Sequence, residues 1–130
     1  MGNKKNITTM PEYKATNCSF DPLTGIKTYD CPDKCTFAYT AQYKAFIVGA
    51  APKPIRRIDK YSYQTDLADT SFFLKNLRPG VFYNKIFPDL HQKLIPIFKD
   101  SPNKNGPDGV DLARHNLGLY KGRVVMIDFY

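Results

Sequence analysis

The segment Leu117-Gly-Leu-Tyr-Lys-Gly-Arg-Val-Val-Met-Ile-Asp-Phe-Tyr130 carries two β-rich runs, Leu117 to Tyr120 and Arg123 to Phe129, around a Lys121-Gly122 turn. Val124, Val125, Met126 and Ile127 form a nearly continuous apolar stretch, as in a strand buried on both faces. The end of the sequence is therefore expected to be a core hairpin with Asp128 at the exit of its last strand. A protein built on such a hairpin needs further antiparallel strands and something to cover them.

Working back from the hairpin, Asp100-Ser-Pro-Asn-Lys-Asn-Gly-Pro-Asp-Gly109 is dense in turn residues and reads as an exposed loop. Pro88 suits a first helical turn, and Leu90, Leu94 and Ile95 share a helical face that Pro96 is expected to end. Asp69 or Thr70 can cap a second short helix over about 70–78, with Arg78 in its last turn and Pro79-Gly80 beyond it. The two prolines of Ala50-Ala-Pro-Lys-Pro-Ile-Arg-Arg-Ile-Asp-Lys60 forbid helix at that segment's start. From Thr36 to Val48, apolar Phe37, Tyr39, Ala41, Tyr43, Ala45 and Ile47 alternate with Thr40, Gln42 and Lys44, which predicts a half-buried strand or hairpin. Residues 1–35, rich in Asn, Thr, Pro and Cys, read as an irregular N-terminal arm or loosely paired hairpin, packed on or flanking a domain of residues 36–130. The expected fold is α+β, a single small domain with an antiparallel sheet, a C-terminal β-hairpin and two short helices.

Composition narrows the function classes. A length of 130 residues, 42% hydrophobic and 24% charged, suits one globular unit with its own core and is too short for two full lobes of a nucleotide-binding enzyme. The longest apolar run, Ala45 to Ala51, is far short of a membrane span. A net charge of +7 favours nucleic acid or an acidic protein as partner. Cys18, Cys31 and Cys35, an odd count with no signal peptide, point to free thiols in a reducing cytoplasm. The three could ligate structural zinc, but the Cys31–Cys35 gap is one residue too wide and both histidines are remote, which disfavours it. Met1-Gly2 resembles a myristoylation start, yet Asn6 stands where Ser or Thr is wanted. The sequons at Asn6 and Asn17 carry weight only in a secreted protein.

Asp111, Asn116 and Asp128 are spaced as in a phosphoryl-transfer site, where an Asp orients the substrate hydroxyl and an Asn and a second Asp hold magnesium on nucleotide phosphates. The Asn is followed by Leu117-Gly-Leu119, the hairpin turn, four apolar residues and Asp128-Phe129. In that order residues 108–130 resemble the catalytic loop, strand pair and metal-binding Asp of the protein-kinase-like superfamily. The resemblance implies Asp111 as the catalytic-loop Asp, Asn116 and Asp128 as metal ligands, Phe129 as the packing neighbour, and Mg-ATP as cofactor. Tyr130 replaces the usual Gly, and Gly109-Val110 replace His-Arg before Asp111.

The upstream parts of a kinase are harder to find. No segment has three closely spaced glycines, and the one Glu, Glu12, precedes any strand Lys such as Lys44 or Lys53. Asp66 or Asp69 is a shorter substitute for the helix Glu. A kinase also carries a substrate platform after Asp-Phe-Gly, whereas this sequence ends at Tyr130. The expectation is thus a degenerate, truncated, non-catalytic kinase-like interaction protein, such as a viral or mobile-element accessory protein acting in a host cytoplasm.

Two other readings stand beside it. One is a minimal phosphotransferase using Mg-ATP. The other is nucleic-acid binding through Lys53, Arg56, Arg57 and Lys60, with Tyr61 and Tyr63 stacking on bases and Lys4, Lys5 and Lys14 extending the surface. The same basic, Tyr-rich residues also suit the centre of a protein interface with an inhibited target. His91 and His115 have no Ser or Cys partner in a recognisable frame, and there is no phosphate-cradling P-loop.

Overall fold

Helix α1, Pro32–Ile47, occupies the segment whose alternation predicts a strand. The structure, a computed structural model, describes residues 18–99 and 109–130. Pro32 sits in the first turn of α1, where its missing N–H costs nothing. The buried positions are Cys35, Ala38, Ala41, Gln42 and Ala45, spaced three and four apart as on one helical face. The aromatic residues that create the period of two lie mostly outside that face. The helix buries alanines, so it approaches the sheet closely, and a hydrophobic count weighted towards large side chains points the wrong way. It ends in a Schellman motif: Gly49 N–H donates to Phe46 O (2.9 Å) and Ala50 N–H to Ala45 O (2.8 Å), with Gly49 at φ +80°.

The sheet under α1 has four strands, β1 (Cys18–Asp21), β2 (Ile26–Tyr29), β3 (Pro54–Arg57) and β4 (Ser62–Thr65), in the order β1-β2-β4-β3. Every neighbouring pair is antiparallel. Residues 18–35 are thus part of the sheet and of α1, and the boundary expected at residue 35 falls inside the helix; residues 1–17 lie outside the described residues. Strand β3 is an edge blunted by Pro54 and by a register shift between Pro54 and Arg56.

The remaining elements follow the sequence reading more closely. Helix α2, Ser71–Asn76, starts where Asp69 Oδ1 accepts bonds from Ser71 N–H (3.0 Å) and Ser71 Oγ (2.7 Å), which hold the Asp69 carboxyl below its usual range. Helix α3, Pro88–Phe98, runs through Pro96, where the sequence predicts a stop. Pro96 lies in the last turn, and Leu90, Leu94 and Phe98, four apart and buried, hold that turn against the core. The loop expected over 100–109 lies outside the described residues apart from Gly109.

Strands β5 (Leu117–Tyr120) and β6 (Arg123–Met126) form the terminal hairpin, with Lys121 (φ 50°) and Gly122 (φ 80°) in the turn. Both positive φ values match the type I′ geometry of a two-residue hairpin loop. The hairpin is tied down on both edges. Asp69 and Leu119 exchange two backbone bonds of 2.9 and 2.8 Å, and Met126 N–H donates to Ala50 O at 3.0 Å. Phe129, fully buried, stacks on Phe98 with centroids 5.7 Å apart, and Phe37 meets Phe98 and Tyr130 edge-on.

The helical assignment of α1 makes a distinguishing prediction. Ala38, fully buried here, would face away from Phe37 and Tyr39 in a strand. Urea denaturation of Ala38→Leu should show a loss of about 1–3 kcal/mol from overpacking, whereas Thr40→Leu at an exposed position should change stability by no more than about 0.5 kcal/mol. Equal effects at the two positions would contradict the helix.

Candidate functional site

The loop before β5 folds on itself. Asp111 Oδ1 accepts the Ala113 N–H (3.2 Å), an Asx turn, and Asn116 N–H donates to Ala113 O (2.9 Å) to close the short 3₁₀ turn Arg114–Asn116. The buried Asn116 side chain donates from Nδ2 to Asp111 O at 3.0 Å. Arg114 Nη1 reaches Leu74 O (2.8 Å) and Leu77 O (3.2 Å), so a guanidinium caps the carbonyl end of α2 and fastens the loop to it.

One backbone bond then joins the loop to the terminus: Ile127 N–H donates to Asn116 O at 2.9 Å, extending the β5–β6 ladder by one step. Asp128 is the next residue, and its Oδ1 accepts the Tyr130 N–H at 3.4 Å. These bonds link the Asp111–Asn116 loop to Ile127, the residue before Asp128.

Lys27 lies on β2 and is buried, whereas Lys44 and Lys53 are exposed. Lys27 is 3% exposed, and its Nζ donates to Ile127 O and to Gln42 Oε1 (3.5 Å) on α1. Burial lowers its pKa from the usual value, opposed by the nearby Asp128 carboxylate and Cys18. Gln42 is fully buried; it also accepts from Tyr63 OH (2.7 Å) and donates from Nε2 to Pro52 O (2.9 Å) and Thr65 Oγ1 (2.6 Å). A strand Lys bonded to a helix side chain exists, but the partner is a neutral amide. A search for Glu misses it, and reading α1 as a strand hides it. The available signal is a lysine inside a short β-rich run followed by a lone Gln on an alanine face.

Lys27, Gln42 and Thr65 line a cleft whose other walls include Phe20 from β1, Pro22 from the β1–β2 turn, Leu67 and Ala68, and Ile127. Its cavity volume is about 70 Å³, and it opens to solvent. That volume fits several waters or one small planar ring. Thr70 Oγ1, on the same wall, is buried and is among the buried side-chain atoms left without a hydrogen-bond partner within the described residues. The β1–β2 turn carries one glycine, Gly25 (φ +78°), whose N–H bonds Asp21 O and whose carbonyl accepts from Thr65 N. Asp66, on the cleft rim, accepts the Tyr120 hydroxyl at 2.6 Å. Neither Asp66 nor Asp69 meets Lys27; Asp69 is committed to the turn that opens α2, where it bonds Ser71.

The basic segment is only partly a surface. Tyr63 is fully buried, stacked on Tyr29 and edge-on to Tyr39 (5.2 Å), so the expectation that it stacks on bases is corrected: its strand position points it into the core under α1. Burial raises the pKa of Tyr29 and Tyr63 well above the ordinary value. Arg57 is spent on structure, donating to Asp59 O (2.9 Å), Lys60 O (2.9 Å) and Thr36 Oγ1 (3.2 Å). Lys53, Arg56, Lys60 and Tyr61 are exposed. Among the described residues no three His, Cys, Asp or Glu side chains form a metal-holding group. No protein-family model, curated protein or solved structure matches this chain.

Two outcomes follow from these contacts. Asn116→Asp keeps the size but replaces a buried donor with an acceptor facing Asp111 O, and thermal or urea unfolding should show a loss of about 1–3 kcal/mol. For Lys27, a folded pKa below 10.5 means that the unfolded chain binds more protons in the window between the two values, so stability rises with pH there. Measured against Lys27→Met, the wild type should gain relative stability as pH climbs towards 10. A flat difference would mean that the amine is not desolvated.

Proposed function

We propose that this chain is a kinase-like interaction protein that keeps a nucleotide-facing cleft but does not transfer phosphate. The observation that carries the reading is Lys27: a strand lysine held by a helix side chain, beside the residue that precedes Asp128. Kinase catalysis needs a strand Lys paired with a helix Glu, an Asp on the catalytic loop, and an Asn and a second Asp for metal. Here the chain supplies Lys27, Asp111, Asn116 and Asp128 in that order, with Gln42 replacing Glu. The amide carries no charge to balance the amine, and the amine is engaged by the Ile127 carbonyl rather than aimed into open space. The β1–β2 turn, with its single glycine, also lacks the run of backbone donors that covers phosphates in a working kinase.

The donor set suits magnesium, a hard cation that takes oxygen ligands and keeps several waters. The Ile127–Asn116 backbone bond sets a carboxamide-bearing residue next to the segment that carries the Asp128 carboxylate. Asn116 and Asp128 would hold the ion, which would neutralise phosphate charge when bound. Lys27 would take an anionic oxygen in exchange for the Ile127 carbonyl, and Leu67, Ala68 and Phe20 would exclude water from a planar ring in the cleft. Asp111 would orient a hydroxyl, but the uncharged Gln42 leaves the phosphate-positioning half incomplete. Nucleic-acid binding is the weaker reading because burial removes Tyr63 from the surface.

Isothermal titration with Mg-ATP should give saturable binding below millimolar nucleotide, weakened about tenfold or more by Lys27→Met, a loss of at least 1.4 kcal/mol. Labelled γ-phosphate should stay on the nucleotide. No binding at millimolar Mg-ATP would remove the nucleotide cleft, and transfer that disappears in Asp111→Asn would remove the idle assignment.

A further inference from the structure

Helix α1 turns an apolar stripe outwards. Tyr39, Tyr43 and Ile47 are four residues apart and so share a helix face. Tyr43 is 47% and Ile47 67% exposed, and Ile55 on the neighbouring edge strand β3 is 47% exposed. The Arg57 guanidinium lies 6.0 Å from the Tyr39 ring centre and bonds Thr36 Oγ1, so β3 side chains border the helix face directly. A helix packed on a sheet ordinarily turns its polar side to water. In α1 the sheet side is alanine, Phe37, Tyr39 and Phe46 pack against the core, and Tyr43 and Ile47 face water.

Along the outer face of α1 and strand β3 the charged side chains are cations, with Asp59 at the β3–β4 turn beyond them. Between Thr36 and Ile58 the sequence holds four cations, Lys44, Lys53, Arg56 and Arg57, and no acid. Lys44, Lys53 and Arg56 are exposed, and the ion pair among the described residues, Lys34 with Asp30 (2.8 Å), lies at the far end of the helix. We infer that the outer face of α1, together with edge strand β3, docks an acidic segment of a partner protein that carries aliphatic or aromatic anchors.

Charge decides against the other occupants. A second copy brings the same +7 and would meet like charge. Residues 1–17 of this chain carry Lys4, Lys5 and Lys14 against Glu12, so they are basic as well. Nucleic acid would satisfy the cations but would leave Ile47 and Ile55 without a partner, since bases stack on aromatic faces and not on aliphatic chains. An acidic peptide with apolar anchors satisfies both halves of the surface. The inference rests on the reading of the chain as an interaction protein, not on its nucleotide cleft.

Panning a random peptide-display library on the full chain tests it. Selected peptides should share Asp or Glu interleaved with Leu, Ile, Phe or Trp, and their addition should shift the amide resonances of α1 and β3. Lys44→Glu with Arg56→Glu, and separately Tyr43→Ser with Ile47→Ser, should each weaken the selected peptide about tenfold or more at unchanged circular dichroism. The inference is overturned by peptides without an acidic consensus, by shifts confined to other elements, or by affinities that both double variants leave intact. It is equally overturned if residues 1–17 already occupy the face, if the chain dimerises through it, or if an oligonucleotide or phosphatidylserine vesicle binds there more tightly. Mg-ATP titration reads the cleft separately, so the loss of one conclusion leaves the other standing.

Discussion

A single buried carboxamide, that of Gln42, fixes how the parts of this protein meet. Its two N–H donors go to Pro52 O and Thr65 Oγ1, and its oxygen receives Tyr63 OH and Lys27 Nζ. These partners come from the entry to β3, from β4 and from β2. An amide buried without partners costs more than it returns, so each bond constrains the helix to one rotation and one height over the sheet. An alanine face offers little shape to do this by packing alone. Polar satisfaction at Gln42 supplies the register that interlocking large side chains supply in other helix–sheet contacts.

The core is correspondingly divided by residue size. Small residues, Ala38, Ala41 and Ala45, fill the contact between α1 and the sheet. Aromatic residues gather where α1, α3 and the terminal hairpin meet, with Phe98, Phe129, Phe37 and Tyr130 stacked or edge-on. The last residues of the sequence are therefore wedged between elements formed much earlier in the chain. Phe129 is part of the floor on which α3 rests.

Legibility from sequence followed this division. The terminal hairpin was readable because its turn residues and apolar run agree, and α2 because a capping Asp, a short apolar cluster and Pro-Gly bracket it. The loop carrying Asp111 and Asn116 and the hairpin ending at Asp128 were readable as neighbours because they follow one another in sequence. Helix α1 was not, since its alanines carry little weight beside aromatics that alternate by coincidence with the helical period. Lys27 and Gln42 were not, because their pairing depends on α1 being a helix and on an amide standing where a carboxylate is sought. Tyr63 was misplaced for the same reason: with no helix over the sheet, nothing marks that strand face as interior. Pro96 misled in the opposite direction: it removes one i→i−4 bond, and three buried side chains outweigh that loss.

Ile127 gives the arrangement a mechanical property. Its N–H is held by the loop through Asn116 O, and its carbonyl is held by the cleft through Lys27. One peptide segment is thus held from two sides, by the loop bearing Asp111 and by the floor of the cleft. If the lysine amine took another partner, the strand end that carries Asp128 would be anchored at Ile127 through Asn116 O alone.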